Sequence, residues 1–190
     1  MINGWLELGV EGGQSVDLSK LRAGEVPDQT YNSARRTLVR GCYDLFLQVE
    51  RPNERGILLV TRDNDPAKGQ LWCLGGGIKR GGQGLWNPED PSRNTEDSLH
   101  NIAKRESKLD IQGDMEYLGC ARIYWQTNPA TGNGVDEIGH CFFGRADGQI
   151  ALDSLHRDPQ IITPRKYEAI RGSLHPYIQT FMDRAIPLVK

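Results

Sequence analysis

The sequence lacks any long hydrophobic run and any excess of charge of one sign. No apolar segment approaches about 18 residues, so no membrane-spanning helix is predicted and no membrane partner is expected. The net charge is only −2, whereas proteins that bind nucleic acid usually present a strongly basic face, so no nucleic-acid partner is expected either. A nucleotide-sized ligand stays compatible with this composition, because it needs only a few local cations.

Closely spaced cysteines are also missing. The four cysteines are Cys42, Cys73, Cys120 and Cys141, and none of them forms a CxxC pair. Their neighbours are apolar, which favours structural thiols in strands over a zinc site or a disulfide framework. The first residues show no basic stretch followed by an apolar core, so no signal peptide is predicted and a cytoplasmic location is expected.

The length of 190 residues allows one large domain or one domain with an appendage. Residues 1–35 are irregular and are interpreted as an N-terminal arm that packs on the main domain or on a second subunit, which makes a homodimer possible. Residues 36–190 form the main domain, in which runs rich in β-branched and aromatic residues predict strands. These runs cover 37–50, 56–62, 115–126 and 135–146, and helices are predicted over 163–171 and 175–186.

The main domain is organised around residues 71–110, which predict the end of a strand, a glycine loop and a helix that continues to Asp110. On a helical wheel, Glu106 and Asp110 fall inside the apolar arc. A buried carboxylate is unfavourable unless it is paired or coordinates a metal. The two carboxylates therefore either pair with neighbouring arginine or lysine side chains or share a divalent cation below the glycine loop.

Strand, hairpin, glycine loop and acidic helix follow one another in an order that resembles the Nudix hydrolase family. Trp72-Cys73-Leu74-Gly75-Gly76-Gly77 stands where the family has a Trp-x-Leu-Pro-Gly-Gly-like segment. Arg105-Glu106 stands at the Arg-Glu of the family's signature box, and Asp110 at its last glutamate. The box is degenerate. Gly75 replaces the usual proline, Leu109 replaces a glutamate and Gln112 replaces the closing glycine. Only Glu96 or Asp97 can supply the first glutamate, and both follow an insertion at 83–93.

A second resemblance lies upstream of the box. Residues 58–72 contain Arg62-Asp63-Asn64-Asp65-Pro66-Ala67-Lys68-Gly69-Gln70-Leu71-Trp72, which is similar to the Arg-x-Asn-x-Pro-Ala-x-Gly-x-x-Trp segment of GDP-mannose mannosyl hydrolases. That Nudix branch also has a degenerate box. It carries an aspartate in its first strand, matched here by Asp44, and a catalytic histidine in a later strand, matched by His140.

These resemblances imply an α+β fold in which a mixed β-sheet lies between helices, an α/β/α sandwich. They imply a hydrolase that acts on a GDP-mannose-like nucleotide sugar in the presence of Mg²⁺ or Mn²⁺, hard cations that prefer oxygen ligands. The implied metal ligands are Asp110, Glu106 and the backbone carbonyl of Gly76. Glu106 also matches the glutamate that is the usual base or metal ligand in the family.

The remaining implied site residues bind substrate or act on water. Arg62 is expected to neutralise the diphosphate leaving group, and Arg80 is a weaker candidate for the same task. His140 is expected to act as general base, a role that suits its reference pKa of about 6.5. Asp44 is expected to orient a sugar hydroxyl or water, and Trp125, Tyr124 or Trp86 to stack on the base.

Three functions stay open at this point. The segment at 62–72 and His140 favour attack on the sugar carbon, as in the mannosyl hydrolases. The retained Glu106 favours attack on phosphorus, as in Nudix pyrophosphohydrolases of other nucleoside diphosphate derivatives. The missing glutamates and the insertion at 83–93 are compatible with a non-catalytic Nudix-like module that binds a nucleotide or a protein partner.

Overall fold

The computed structural model describes residues 2–4, 10–11, 14–15, 30, 38–78, 94–126 and 134–190. Its longer strands are β4 (Arg40–Arg51), β5 (Glu54–Arg62), β8 (Asp110–Trp125), β9 (Val135–Asp147) and β10 (His156–Ile162). Its shorter strands are β1 (Ile2–Asn3), β2 (Val10–Glu11), β3 (Gln14–Ser15), β6 (Leu71–Trp72) and β7 (Leu74–Gly77). The helices are α1 (Asn94–Ser107), α2 (Pro164–Ile170) and α3 (Pro176–Ala185), with 3₁₀ turns at Arg171–Ser173 and Ile186–Leu188.

The main sheet is mixed, with the strand order β1-β8-β9-β4-β5-β10. Strands β4 and β5 form an antiparallel hairpin, and so do β8 and β9, as the sequence predicts. Strands β4 and β9, which lie next to each other in the middle of the sheet, run parallel. Strand β7 pairs with β4 over Cys42–Leu45, so the glycine loop is joined to the central strand.

Helices cover both faces of this sheet, because neighbouring residues of the central strand point to opposite sides. Leu45 and Leu47 of β4 pack with Leu99 and Ile102 of α1 in one hydrophobic cluster. Phe46 packs with the buried face of α3 in the other cluster, which contains Tyr177, Ile178, Phe181 and Met182. The predicted α+β class, with a mixed sheet between helices, is therefore confirmed.

Helix α1 is shorter than predicted. It ends at Ser107, and Lys108 has a positive φ of 62°, a left-handed conformation that ends a helix. Leu109 then turns into the core and is 1% exposed, while Asp110 becomes the first residue of β8. The expectation that Glu106 and Asp110 share one helical face is therefore wrong, because the two residues belong to different elements.

Most of the predicted N-terminal arm and the insertion at 83–93 lie outside the described residues. Ile2–Asn3 form β1, an edge strand that runs parallel to β8. Among the residues that the structure describes, no helix is long and apolar enough to cross a membrane. The homodimer predicted from the arm remains a prediction.

Candidate functional site

A cavity of about 260 Å³ opens where β4, β7 and β9 meet the loop before β10. Residues of one parity line it from the sheet, Arg40, Cys42 and Asp44 on β4 and Glu137 and Gly139 on β9. Strands β4 and β9 are in parallel register with Cys42 opposite Gly139, so these side chains share one face. The carboxylates at the cavity are Asp44, Glu106, Glu137 and Asp153.

Three arginines bring positive charge to the same cavity. Arg40 is paired with Glu137, and Arg105 is paired with Glu106. Arg62 lies at the end of β5, and its Nε–H donates to Asn64 Oδ1 at 3.0 Å, which orients the guanidinium. The predicted diphosphate-binding residue Arg62 is thus part of the cavity wall.

Asp44 is a buried carboxylate at the cavity, 8% exposed. The Tyr177 hydroxyl donates to Asp44 Oδ2, and the Cys141 sulfur lies 2.9 Å from the Tyr177 oxygen. Because the single tyrosine proton is given to Asp44, the Cys141 thiol is the donor in that second contact. Burial raises the pKa of Asp44 from 3.8 to about 6, and the bond from Tyr177 opposes the rise.

Two glycines make room for the Asp44 carboxylate. A Cβ on Gly75 would lie 2.2 Å from Asp44 Oδ1. A Cβ on Gly139 would lie 2.1 Å from the Tyr177 hydroxyl oxygen and 2.8 Å from Asp44 Oδ2. A larger residue at either position would therefore displace the carboxylate or the tyrosine that holds it, which explains why glycine stands at 75 and 139.

Glu106 reaches the cavity from the other side of Gly75. It is 3% exposed, its Oε2 accepts the Gly75 N–H at 3.0 Å, and its Oε1 is paired with Arg105. Burial raises the pKa of Glu106, and these two contacts oppose the rise. Proline at position 75 would lack the N–H that Glu106 accepts, so the departure from the usual proline serves both carboxylates.

The cavity holds part of the donor set that a divalent cation needs. Asp110 does not line the cavity, and Lys104 holds it at 2.7 Å on the surface. Among the described residues, no group of three or more His, Cys, Asp or Glu side chains is arranged to hold a metal. Mg²⁺ is nevertheless often bound by one or two carboxylates together with substrate phosphates. Glu106 and Gly76 both line the cavity, so a cation that enters with a diphosphate would meet the carboxylate and the glycine backbone there.

His140 faces away from this cavity. Its neighbours in β9, Gly139 and Cys141, are on the cavity side, so the alternation of a strand points His140 to the other face. There its Nδ1 lies 3.0 Å from the Tyr117 hydroxyl, its ring meets Tyr43 edge-on, and burial lowers its pKa. The fold does not bring the predicted general base to the cavity.

Aromatic rings form one wall of the site. Trp72 and Trp125 line the cavity with centroids 5.6 Å apart. Tyr177 stacks on Trp72 at 5.4 Å, and His175 stacks on Trp125 at 5.2 Å. The structure thus places Trp125 where the sequence predicts a substrate contact, whereas the predicted Arg80 lies outside the described residues.

Two polar residues at the site were not predicted. Asp153 lines the cavity from the loop before β10, and its Oδ1 accepts from His156 Nδ1 at 2.7 Å. His156 is buried, with Nε2 4.0 Å from Glu106 Oε2. The sequence signal was weak, since the Asp-x-x-His spacing lies between the predicted strand 135–146 and the predicted helix 163–171 and matches no motif of the resembled family.

The raised pKa of Asp44 predicts a pH-dependent stability difference between the wild type and Asp44→Asn. The folded state holds the Asp44 proton up to about pH 6 and the unfolded chain only to about 3.8. The folded state therefore binds more protons between these values, and wild-type stability relative to Asp44→Asn falls by about 3 kcal/mol in total as the pH rises from well below 3.8 to well above 6. Urea unfolding of both proteins, from below pH 3.8 to above pH 6, measures this stability difference. If the stability of the two proteins changed with pH in parallel, the prediction would be contradicted.

Comparison with known proteins gives one curated relative and many structural neighbours. No protein-family model matches the chain. The low-salt glycan biosynthesis protein Agl8 of Haloferax volcanii is 23% identical over 158 residues, which cover 83% of this chain and 89% of that protein.

Solved structures resemble the chain in fold. The MutT protein of Methanosarcina mazei is 16% identical with a TM-score of 0.53, over 77% of this chain and 91% of that one. A Nudix hydrolase of Nitrosomonas europaea is 12% identical with a TM-score of 0.51, over 77% of this chain and 87% of that one. At these identities the likeness shows the fold alone.

Proposed function

From its Nudix fold, we propose that this chain is a hydrolase of a nucleoside diphosphate linked to a sugar, a GDP-mannose-like nucleotide sugar. The observation that carries the proposal is one cavity that holds Arg40, Arg62 and Arg105 beside two buried carboxylates, Asp44 and Glu106. Arginines suit a diphosphate, and carboxylates suit sugar hydroxyls and an attacking water. The name of the relative Agl8, which refers to glycan biosynthesis, supports a sugar-linked substrate.

The arginines are assigned to the diphosphate. A guanidinium presents a planar fork of N–H donors that matches phosphate oxygens. Arg62 is the first candidate, because Asn64 holds its Nε while the side chain lines the cavity. A divalent cation, Mg²⁺ or Mn²⁺, supplies further neutralisation of the diphosphate when it is bound, and Glu106 and the Gly76 carbonyl would hold it.

The two carboxylates are assigned to proton transfer. A general base works best with a pKa near the operating pH, and burial moves Asp44 and Glu106 in that direction. Asp44, fixed by Tyr177, takes the proton of the attacking water or orients a sugar hydroxyl. Glu106 lies on the opposite side of Gly75 and is the alternative base. This assignment moves the role of base from His140 to residues at the cavity.

The aromatic wall is assigned to the nucleoside. Trp125 is partly exposed while Trp72 is buried behind it. An indole face that is open on one side can stack on a planar base, and stacking tolerates different bases. The cavity of about 260 Å³ is below the range of roughly 300–1,000 Å³ that is typical of ligand pockets. It therefore accommodates the diphosphate and sugar, with the base against the open face of Trp125.

A non-catalytic nucleotide-binding module is the second candidate, and one observation favours it. Of the box carboxylates, only Glu106 reaches the cavity, because Leu109 is buried in the core and Asp110 is paired with Lys104 on the surface. Such a module would keep the arginines and lose turnover. Hydrolysis at phosphorus, with Glu106 as base, is the alternative within the hydrolase proposal.

The test is product analysis on a panel of substrates. The protein is incubated with GDP-mannose, other nucleotide sugars and ADP-ribose, with Mg²⁺ or Mn²⁺, and the products are separated. We expect turnover of a nucleotide sugar, and ¹⁸O-water shows whether the label enters the sugar or the phosphate. Tight nucleotide binding without turnover of any substrate would overturn the hydrolase proposal in favour of the binding module.

A further inference from the structure

The loop before β10 is fastened to the end of α1 at the residue that carries the cavity carboxylate. The Asp153 N–H donates to the Glu106 carbonyl at 3.1 Å, and the Ala151 N–H donates to the Ser107 carbonyl at 2.9 Å. The Asp153 carboxylate also accepts the Leu155 N–H at 2.9 Å. Backbone contacts therefore fix where this loop meets Glu106.

The buried imidazole of His156 lies between this loop and Glu106 at the end of α1. His156 Nδ1–H donates to Asp153 Oδ1 at 2.7 Å, which fixes the plane of the ring, since a carboxylate can only accept. Its other nitrogen, Nε2, then points at Glu106 Oε2 from 4.0 Å. The side chain of His156 is 5% exposed and that of Glu106 is 4% exposed, so little water reaches the gap between them.

His156 also lies beside the predicted diphosphate-binding arginine. It is the first residue of β10 and is opposite Arg62 in the register with β5. The strand pairing thus places His156 opposite Arg62, while its side chain approaches Glu106. A histidine that only filled the core would need neither the carboxylate on Nδ1 nor the second carboxylate opposite Nε2.

We propose that Asp153 and His156 form a positioning pair that holds the Glu106 carboxylate in its place at Gly75 for the reaction. This inference rests on the proposed function, in which Glu106 is a base or cation ligand. Glu106 lines the cavity and His156 does not, so His156 is a positioning residue. A carboxylate that is misplaced by about 1 Å can lower turnover by about two orders of magnitude, which gives the pair a measurable effect.

Two substitutions at one position separate positioning from simple support of the loop. In His156→Gln the amide reaches the place of Nε2 beside Glu106, whereas in His156→Asn the amide reaches the place of Nδ1 beside Asp153. The positioning pair predicts that His156→Gln keeps kcat within about fivefold of the wild type and that His156→Asn lowers kcat about 30-fold or more. Both variants should keep KM and the Kd for GDP within about threefold, because neither removes a cavity arginine.

A lower kcat in His156→Gln than in His156→Asn would overturn the inference. If His156 only anchors the loop to Asp153, His156→Asn keeps the higher kcat of the two variants. In both variants the decrease in kcat then parallels the decrease in Tm. Calorimetry of the two variants supplies the Tm values for this comparison.

A readout that does not need turnover separates this inference from the proposed function. Crystal structures of both variants give the distance from Gly75 N to Glu106 Oε2, which is 3.0 Å in the wild type. We expect this bond to persist in His156→Gln and to break in His156→Asn. If the bond breaks as expected but the wild type hydrolyses no nucleotide sugar, the proposed function fails and the positioning pair stands. If the bond persists in His156→Asn, the positioning pair fails.

Discussion

Gly75→Ala is expected to destabilise the protein by about 1–3 kcal/mol, the range for overpacking a filled interior, and to remove most of its turnover. The new Cβ would lie 2.2 Å from Asp44 Oδ1 and 2.7 Å from the Tyr43 carbonyl oxygen. The Asp44 carboxylate must then leave its position beside Tyr177. Urea unfolding gives the change in stability, and kcat/KM for a nucleotide sugar gives the change in activity.

Gly172→Ala is the matched control, because nothing lies within 4 Å of a Cβ at that position. It should change stability by less than about 1 kcal/mol and leave activity unaltered. Combining Gly75→Ala with Asp44→Ala should recover part of the lost stability, since the closest clash is then gone. Gly75→Pro, which introduces the residue usual at this position in the Nudix family that the sequence resembles, should be worse than Gly75→Ala because Glu106 also loses its N–H partner. A Gly75→Ala protein with wild-type stability and activity would contradict this account of the site.

Glu106→Gln is expected to lower kcat by about 10²–10³-fold, within the range for loss of a general base. Glutamine has the same shape, and its amide oxygen can still accept the Gly75 N–H, so the fold should change little, and so should the Kd for GDP measured without a divalent cation. The measurement is kcat for the substrate found in the panel, together with the Kd for GDP by calorimetry.

Glu168→Gln is the control for this prediction, because Glu168 is exposed on α2 and far from the cavity lining. It should retain wild-type kcat. If Glu106→Gln also retained wild-type kcat, the base would have to be another residue, and Asp44 and Glu137 would be the remaining buried carboxylates at the cavity to test.

The fold follows from patterns that the sequence displays locally. Alternating β-branched and aromatic residues identify the strands of the two hairpins, and Thr163 followed by Pro164 marks the start of α2, where the Thr163 side chain caps the helix. The end of α1 was mispredicted because the sequence has no glycine or asparagine there to mark the end of a helix. Lys108 adopts the left-handed conformation instead, and the strand β8 then begins at Asp110.

The roles of the implied site residues stay predictions, and some of these residues lie away from the cavity. Asp44, Arg62, Glu106, Gly76 and Trp125 line it. His140 and Asp110 do not, because the direction of a strand side chain depends on register and a helix face depends on where the helix ends. A one-residue difference in either feature moves a side chain to the opposite side.

Asp153 and His156 could not be predicted, because their roles depend on which loop meets the end of α1. That contact joins residues about 50 positions apart in the chain through the backbone bond from Asp153 to Glu106. Only the assembled sheet, with β10 beside β5, brings His156 next to both Arg62 and Glu106.

The most direct test of the central claim is a single-turnover assay with the protein in excess over labelled GDP-mannose, repeated with other nucleotide sugars and with Mg²⁺ or Mn²⁺. Excess protein keeps every substrate molecule bound, so even slow chemistry is detected. The account predicts exponential conversion of a bound nucleotide sugar by the wild type, and conversion slowed by two orders of magnitude or more in Glu106→Gln. Recovery of the bound nucleotide sugars intact from the wild type would contradict it.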